Sequence, residues 1–231
     1  MKNKKNIVIT GGNRGIGFGL LENLSQRHNV IFTARDQKIA EDTLDKIENS
    51  GHNINYVTMD VNDIKSVMNA GDQISRICNS VDLLFNNAGI LLNEYALPAL
   101  KTSEDSILET FNTNTLGVLR VCKVIVPLMK NGGRIVNVSS GMGQLIEMES
   151  GSTAYRISKT AVNTVTKILS NELSEKKISI NSICPGWVQT DMGGQNATLT
   201  VQESVDKIIH FSLGDDFPNG KFLRHGEIIP W

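Results

Sequence analysis

Short apolar runs alternate along this chain with longer stretches of helical periodicity, and nothing else in the sequence constrains the fold as strongly. The spacing predicts strands at Ile7–Thr10, Val30–Thr33, Ile54–Met59, Val81–Phe85, Arg134–Val138 and Ile178–Ile183. It predicts helices near Gly15–Gln26, Gln37–Asn49, Asp63–Ser80, Ser103–Met129 and Tyr155–Ser174. Strands that are apolar along their whole length have to be covered on both faces, and strands joined through helices run parallel.

Right-handed crossovers then lead to a single-domain α/β fold: a Rossmann-like, doubly wound parallel sheet flanked by helices on both faces. A further helix near Val201–Leu213 is announced by Thr200 and, three residues on, Glu203, the spacing of a capping box. Residues Gly220–Trp231 leave room for a last strand and a C-terminal tail. The 231 residues contain no linker, repeat or low-complexity stretch, so one domain is expected over 1–231.

Charge and cysteine usage exclude several function classes. Net charge is −1 with no long basic or acidic block, which argues against capture of nucleic acid or an anionic membrane. Cys78, Cys122 and Cys184 are dispersed and form no C-x-x-C pair, so they read as reduced core thiols in a cytoplasmic protein without a metal site. The basic start, Met1 to Lys5, is followed only by Ile7-Val8-Ile9, too short for a secretory signal. No run approaches the roughly 20 apolar residues that span a bilayer.

The first strand runs into Thr10-Gly11-Gly12-Asn13-Arg14-Gly15-Ile16-Gly17 and then a helix. Glycines at such a turn let backbone approach a pyrophosphate, and the helix N-terminus offers it free N–H groups. The second strand ends Thr33-Ala34-Arg35-Asp36. Sites for NAD place an Asp or Glu there for the ribose hydroxyls, whereas this chain has Ala34 followed by Arg35. Arg14 and Arg35 together could grip a ribose 2′-phosphate bidentately, which favours NADP(H). Asp36 is the dissenting neighbour: it could pair with Arg35 or reach a ribose itself.

Tyr155 and Lys159 stand at i and i+4, neighbours on one helix face. A phenol titrates near 10, and an adjacent ammonium favours its ionised form, so the pair can serve as a tuned acid/base. Upstream, Asn137-Val138-Ser139-Ser140-Gly141 closes a strand in hydroxyls at the edge where ligands of such sheets bind. A serine there can hydrogen-bond a carbonyl and stabilise developing charge, and Ser139 and Ser140 would point to opposite sides if extended. Asn86-Asn87-Ala88-Gly89 follows the fourth strand, and Asn114 interrupts the long predicted helix, where a buried or kink-forming role suits a poor helix former.

Taken in order, T-G-G-N-R-G-I-G, N-N-A-G, Asn114, V-S-S, Y-x-x-x-K and Cys184-Pro185-Gly186-Trp187-Val188-Gln189-Thr190-Asp191-Met192 resemble the short-chain dehydrogenase/reductase family over essentially the whole chain. A-R-D after the second strand, C-P-G-W-V-x-T-D-M and the ending Ile229-Pro230-Trp231 are most similar to its carbonyl reductase, Sniffer and C-factor branch. The resemblance implies NADPH-dependent reduction of a small aldehyde, ketone or quinone. It implies Tyr155 as acid/base, Lys159 as ribose ligand and pKa modifier, Ser140 as carbonyl-orienting, and Asn114 as holder of a helix kink and a relay water. Cofactor contacts are implied at Gly11, Asn13, Arg14, Gly15, Ile16, Gly17 and Arg35. Asp60 and Val61 are implied beside the adenine, with Asn87, Ala88 and Gly89 on the ribose side. Pro185, Gly186, Trp187, Val188 and Thr190 then cover the carboxamide.

The larger monomeric carbonyl reductases carry a long insertion before the Tyr, and none lies between Ser140 and Tyr155 here. The helices holding Asn114 and Tyr155 are therefore free to pair between subunits, and a homodimer or homotetramer is expected. Residues Asp191–Leu199, with Gly193-Gly194, are the expected substrate lid. Two rival readings share these motifs: a C-factor-like signalling protein that binds dinucleotide with little turnover, and an NAD-linked alcohol dehydrogenase.

Overall fold

The computed structural model describes residues 4–47, 52–92 and 96–231. Its strands are β1 (Asn6–Ile9), β2 (Asn29–Ala34), β3 (Asn53–Thr58), β4 (Val81–Asn86), β5 (Met129–Val138), β6 (Ser179–Cys184), β7 (Phe222–Arg224) and β8 (Glu227–Ile229). They form one sheet in the order β3-β2-β1-β4-β5-β6-β7-β8. Neighbouring strands are parallel except at the end, where β7 and β8 make an antiparallel hairpin. Strand order reverses direction between β1 and β4, and it is beyond the carboxyl ends of strands at such a point that a ligand crevice opens.

The helices are α1 (Gly15–Ser25), α2 (Gln37–Leu44), α3 (Ile64–Ile77), α4 (Glu104–Phe111), α5 (Gly117–Ile125), α6 (Thr153–Glu172) and α7 (Val201–Leu213). Two apolar cores follow from the alternation of side chains along the strands. Ile7 and Ile9 of β1 pack with Leu20, Leu24, Val205 and Ile208 of α1 and α7. Val8, between them, packs on the opposite face with Val67, Ile74, Val121 and Val162 of α3, α5 and α6. The sheet is thus wound on both sides, as its apolar strands require.

Helix starts obey local chemistry. Asp36, Asp63 and Ser103 each accept a backbone N–H of the helix that follows. Thr200 and Glu203 form a complete capping box on α7.

Helix ends depart from the sequence reading. The single helix expected over 103–129 is divided into α4, a π-helical segment at Asn112–Leu116, α5, and a 3₁₀ turn at Val126–Leu128 that contains Pro127, so that Met129 already begins β5. Helix α3 stops at Ile77 rather than Ser80, because Cys78 is extended and leads into β4. Helix α6 begins two residues earlier than expected, where Gly151 (φ 78°) and Ser152 (φ 48°) turn the chain into it. Helix α2 ends at Leu44; its expected end, Asn49, lies outside the described residues, as do Met1–Asn3. The segment expected to add one last strand supplies two.

A polar row crosses this otherwise apolar sheet. Asn86, Asn137 and Ser182 are in register on β4, β5 and β6. Asn86 Nδ2 donates to Asn137 Oδ1 at 2.8 Å, and Asn137 Nδ2 donates to Thr166 Oγ1 of α6 at 2.8 Å. Thr166 and Ser182 hydroxyls are 2.7 Å apart. Every member is buried and hydrogen-bonded, although Asn86 Oδ1 itself has no partner.

Candidate active site

The turn from β1 into α1 is built for close approach. Gly11 (φ 64°) and Gly15 (φ 54°) occupy the left-handed region. A Cβ on Gly17 would lie 2.1 Å from the Gly11 carbonyl oxygen, so the first turn of α1 is pressed onto the loop. Asn87 locks that loop from β4: its Nδ2 donates to the carbonyls of Thr10 (3.0 Å) and Gly11 (2.9 Å), and its N–H donates to Thr10 Oγ1. Phe18 N–H makes the first bond of α1, to Arg14 C=O, which leaves the N–H groups of residues 15–17 without helical partners. A glycine-rich turn that leads N–H groups without helical partners to a helix N-terminus suits a pyrophosphate.

At the end of β2, Ala34 and Arg35 line the same cleft. Asp36 does not compete: its Oδ1 accepts Ile39 N–H at 2.9 Å and caps α2. Arg14 turns toward the far wall, where its Nη1 lies 3.4 Å from Asp191 Oδ2 in an exposed ion pair.

Tyr155 and Lys159 are both buried on α6, with Lys159 Nζ 5.5 Å from the centre of the Tyr155 ring. Lys159 Nζ donates to Val138 C=O at 2.8 Å. Burial lowers its pKa to about 8. Ser139 Oγ is fully buried and donates to Lys159 C=O at 3.2 Å, whereas Ser140 is half-buried and its Oγ accepts Met142 N–H at 3.1 Å. The two serines do face different partners, as an extended chain predicts.

Asn114 sits inside the π-helical segment, 1% exposed. Its Oδ1 accepts Ile90 N–H (2.8 Å) while its Nδ2 donates to Ile90 C=O (2.9 Å) and Ser158 Oγ (3.0 Å). Ser158 Oγ donates in turn to Tyr155 C=O at 2.8 Å. One amide therefore ties the loop after β4 to the helix that presents Tyr155.

The chain matches the family model described as short chain dehydrogenase over residues 5–199. The chain belongs to the short chain dehydrogenase family. It is 31% identical to the carbonyl reductase Sniffer of D. melanogaster, whose structure superposes with a TM-score of 0.90 over 99% of this chain and 100% of that one. The NADPH-bound carbonyl reductase from chicken fatty liver is 29% identical, with a TM-score of 0.89 over the same shares. Mouse (Mus musculus) carbonyl reductase [NADPH] 1 is 28% identical over 97% of both chains. That alignment runs over 277 positions, so the mouse protein carries inserted residues that this short chain dehydrogenase of 231 residues lacks.

The cleft of this short chain dehydrogenase brings together Gly11, Asn13, Arg14, Gly15, Ile16, Arg35, Asp60, Val61, Asn87, Ala88, Gly89, Tyr155, Lys159, Pro185 and Thr190. Gly17 and Asn114 stand behind its wall, holding backbone in place. Ser140, Gly186, Trp187 and Val188 are not among the lining residues. Trp187 instead donates its Nε1–H to Gly193 C=O at 2.8 Å and helps fold the expected lid back on itself. Sequence reasoning did not single out Thr33, Ile39, Met59, Asn62, Glu109 or Thr113 as lining residues. Thr33 and Met59 had a readable signal, since each lies at the carboxyl end of a strand already predicted; Glu109 and Thr113 reach the cleft only through the packing of α4 and the π-helical segment after it.

Proposed function

We propose that this short chain dehydrogenase reduces a small carbonyl compound (an aldehyde, ketone or quinone) in the presence of NADPH. Tyr155 and Lys159, buried side by side at the cleft wall, carry this reading. The similarity to proteins named as NADPH carbonyl reductases supports it. NADPH, when bound, supplies the hydride. The glycine turn would hold its pyrophosphate, and Arg35 with Arg14 its 2′-phosphate, once Arg14 leaves the exposed pair with Asp191, a contact of small energetic weight. Ala34 brings no carboxylate to oppose that phosphate.

Tyr155 donates its phenolic proton to the carbonyl oxygen as the alkoxide forms. The Lys159 ammonium near the ring favours the phenolate left behind. Ser139 lines the cleft but spends its hydroxyl proton on Lys159 C=O, whereas Ser140, just outside that lining, accepts at Oγ from Met142 and keeps its own O–H to donate to the carbonyl. Asn114 fixes the height of the loop and helix that meet at this point. Three cysteines outside any disulfide fit a reducing cytoplasm.

Oxidation of NADPH against a panel of aldehydes, quinones and ketones tests the reading, with NADH run in parallel. A kcat/KM for NADPH at least tenfold above that for NADH is expected. Equal values, or no turnover across the panel, would remove it. Tyr155→Phe should lower kcat by about 10²- to 10⁴-fold, the range for loss of a general acid, with dinucleotide affinity within a few-fold. Retained turnover in that variant would take the acid role from Tyr155.

A further inference from the structure

The connection from Ser140 to the start of α6 contains a single 3₁₀ turn, Gly141–Gly143, and otherwise irregular backbone. Apolar burial does little to hold it, since Leu145 (63%), Ile146 (71%) and Met148 (40%) are exposed. Polar contacts hold it from both ends instead. On α6, Arg156 is buried; its Nε donates to Gly151 C=O at 3.0 Å and its Nη2 to Glu149 Oε2 at 3.2 Å. At the end of β7, Arg224 Nη2 donates to Gln144 Oε1 at 3.1 Å and to Glu147 Oε2 at 3.3 Å. Arg224 also closes over the turn itself: a Cβ on Gly141 would lie 2.8 Å from its Nη2. Between the two arginines, Thr160 Oγ1 and Asn163 Nδ2 both donate to Gly143 C=O at 3.1 Å.

We infer that Arg156 and Arg224 are positioning residues that hold the Ser140–Tyr155 connection as a preformed wall, setting the carbonyl-orienting hydroxyl and the proton donor before substrate arrives. Each arginine grips one glutamate and at least one uncharged acceptor of the same short segment, from elements far apart in sequence. Neither reaches the glycine turn or Arg35, so the effect falls on the carbonyl end of the cleft. Misplacement of reacting groups by an ångström is enough to cost large factors in rate.

The kinetic part of this inference rests on the reductase reading; the structural part does not. With NADPH saturating, Arg224→Met and Arg156→Met should each lower kcat for the carbonyl about tenfold while leaving KM for NADPH within about twofold. Arg224→Lys, whose ammonium keeps the charge that pairs with Glu147, should recover part of the loss. Amide hydrogen exchange over 141–151 should accelerate in both methionine variants. Unchanged kcat in folded Arg224→Met, or a matching loss of NADPH affinity, overturns the inference. Should the methionine variants fail to fold, the exposed pair Glu147→Gln with Glu149→Gln replaces them; a several-fold fall in kcat with faster exchange supports the clamp, and no change in either overturns it. A wild-type protein that turns over no carbonyl removes the reductase reading, and exchange over 141–151 then decides the clamp alone.

Discussion

Lys159 carries an ammonium into a buried site where its Nζ meets the Val138 carbonyl and, among the described contacts, no carboxylate. Its pKa of about 8, lowered by burial from 10.5, makes it a destabilising charge at neutral pH. Between these two values the folded protein has released the proton that the unfolded chain still binds, so stability rises with pH across that window. Urea unfolding at pH 8.0 and 9.5 should therefore show the wild type gaining on the order of 1–2 kcal/mol relative to Lys159→Met. No relative gain would mean that the ammonium is better accommodated than its surroundings imply. Tyr155 and Lys159 were legible in the sequence because helical spacing alone makes them neighbours. Arg156 and Arg224 were not, because their partners are chosen by tertiary packing and no local pattern marks them.

The π-helical segment between α4 and α5 buries Asn114 between Thr113 and Thr115, all three with tertiary hydrogen bonds. An extra residue in the turn lets Asn114 stay buried while both polar groups of Ile90 are satisfied by its amide. Asn114→Leu should strand those two groups and remove the donor to Ser158 Oγ, at a cost of about 2–4 kcal/mol. A thermal melt should then fall by about 4–16 °C, since about 1 kcal/mol corresponds to 2–4 °C in a domain of this size. A shift below about 2 °C would show that the bonds are replaceable. The sequence marked Asn114 as out of place in a helix but could not mark the π turn: apolar periodicity continues on either side, so 103–129 reads as one helix. Strand and helix order survived intact for the opposite reason, since every β-to-α step is signalled by glycine, Asp, Ser or Thr at a place where only a turn or a cap satisfies the backbone.

At the scale of the molecule, apolar side chains remain uncovered on the outer faces of α4 and α6. Leu108 is 65% exposed, Ile157 43% and Ile168 51%. A homodimer or homotetramer that pairs these helices with those of a second copy would cover them, and light scattering should return two or four times the chain mass of 25.3 kDa. Leu108→Glu with Ile168→Glu should restore the single mass with the fold intact. A wild-type monomer would count against the association. The sequence pointed to the sheet as a whole, yet not to its antiparallel last strand: β8 is three residues long, too short for any periodic signal.

The polar row of Asn86, Asn137, Ser182 and Thr166 has a consequence for how this sheet assembles. Parallel apolar strands look alike after a slide of two residues, since the same face is greasy before and after. A slid β5 would leave Asn137 facing hydrocarbon without its partners, at a cost of about 1–3 kcal/mol for each stranded amide group. Four buried side chains thus act as a key that accepts one alignment of the central strands. The same key sets the height of α6 above them, and with it where the phenol of Tyr155 comes to rest.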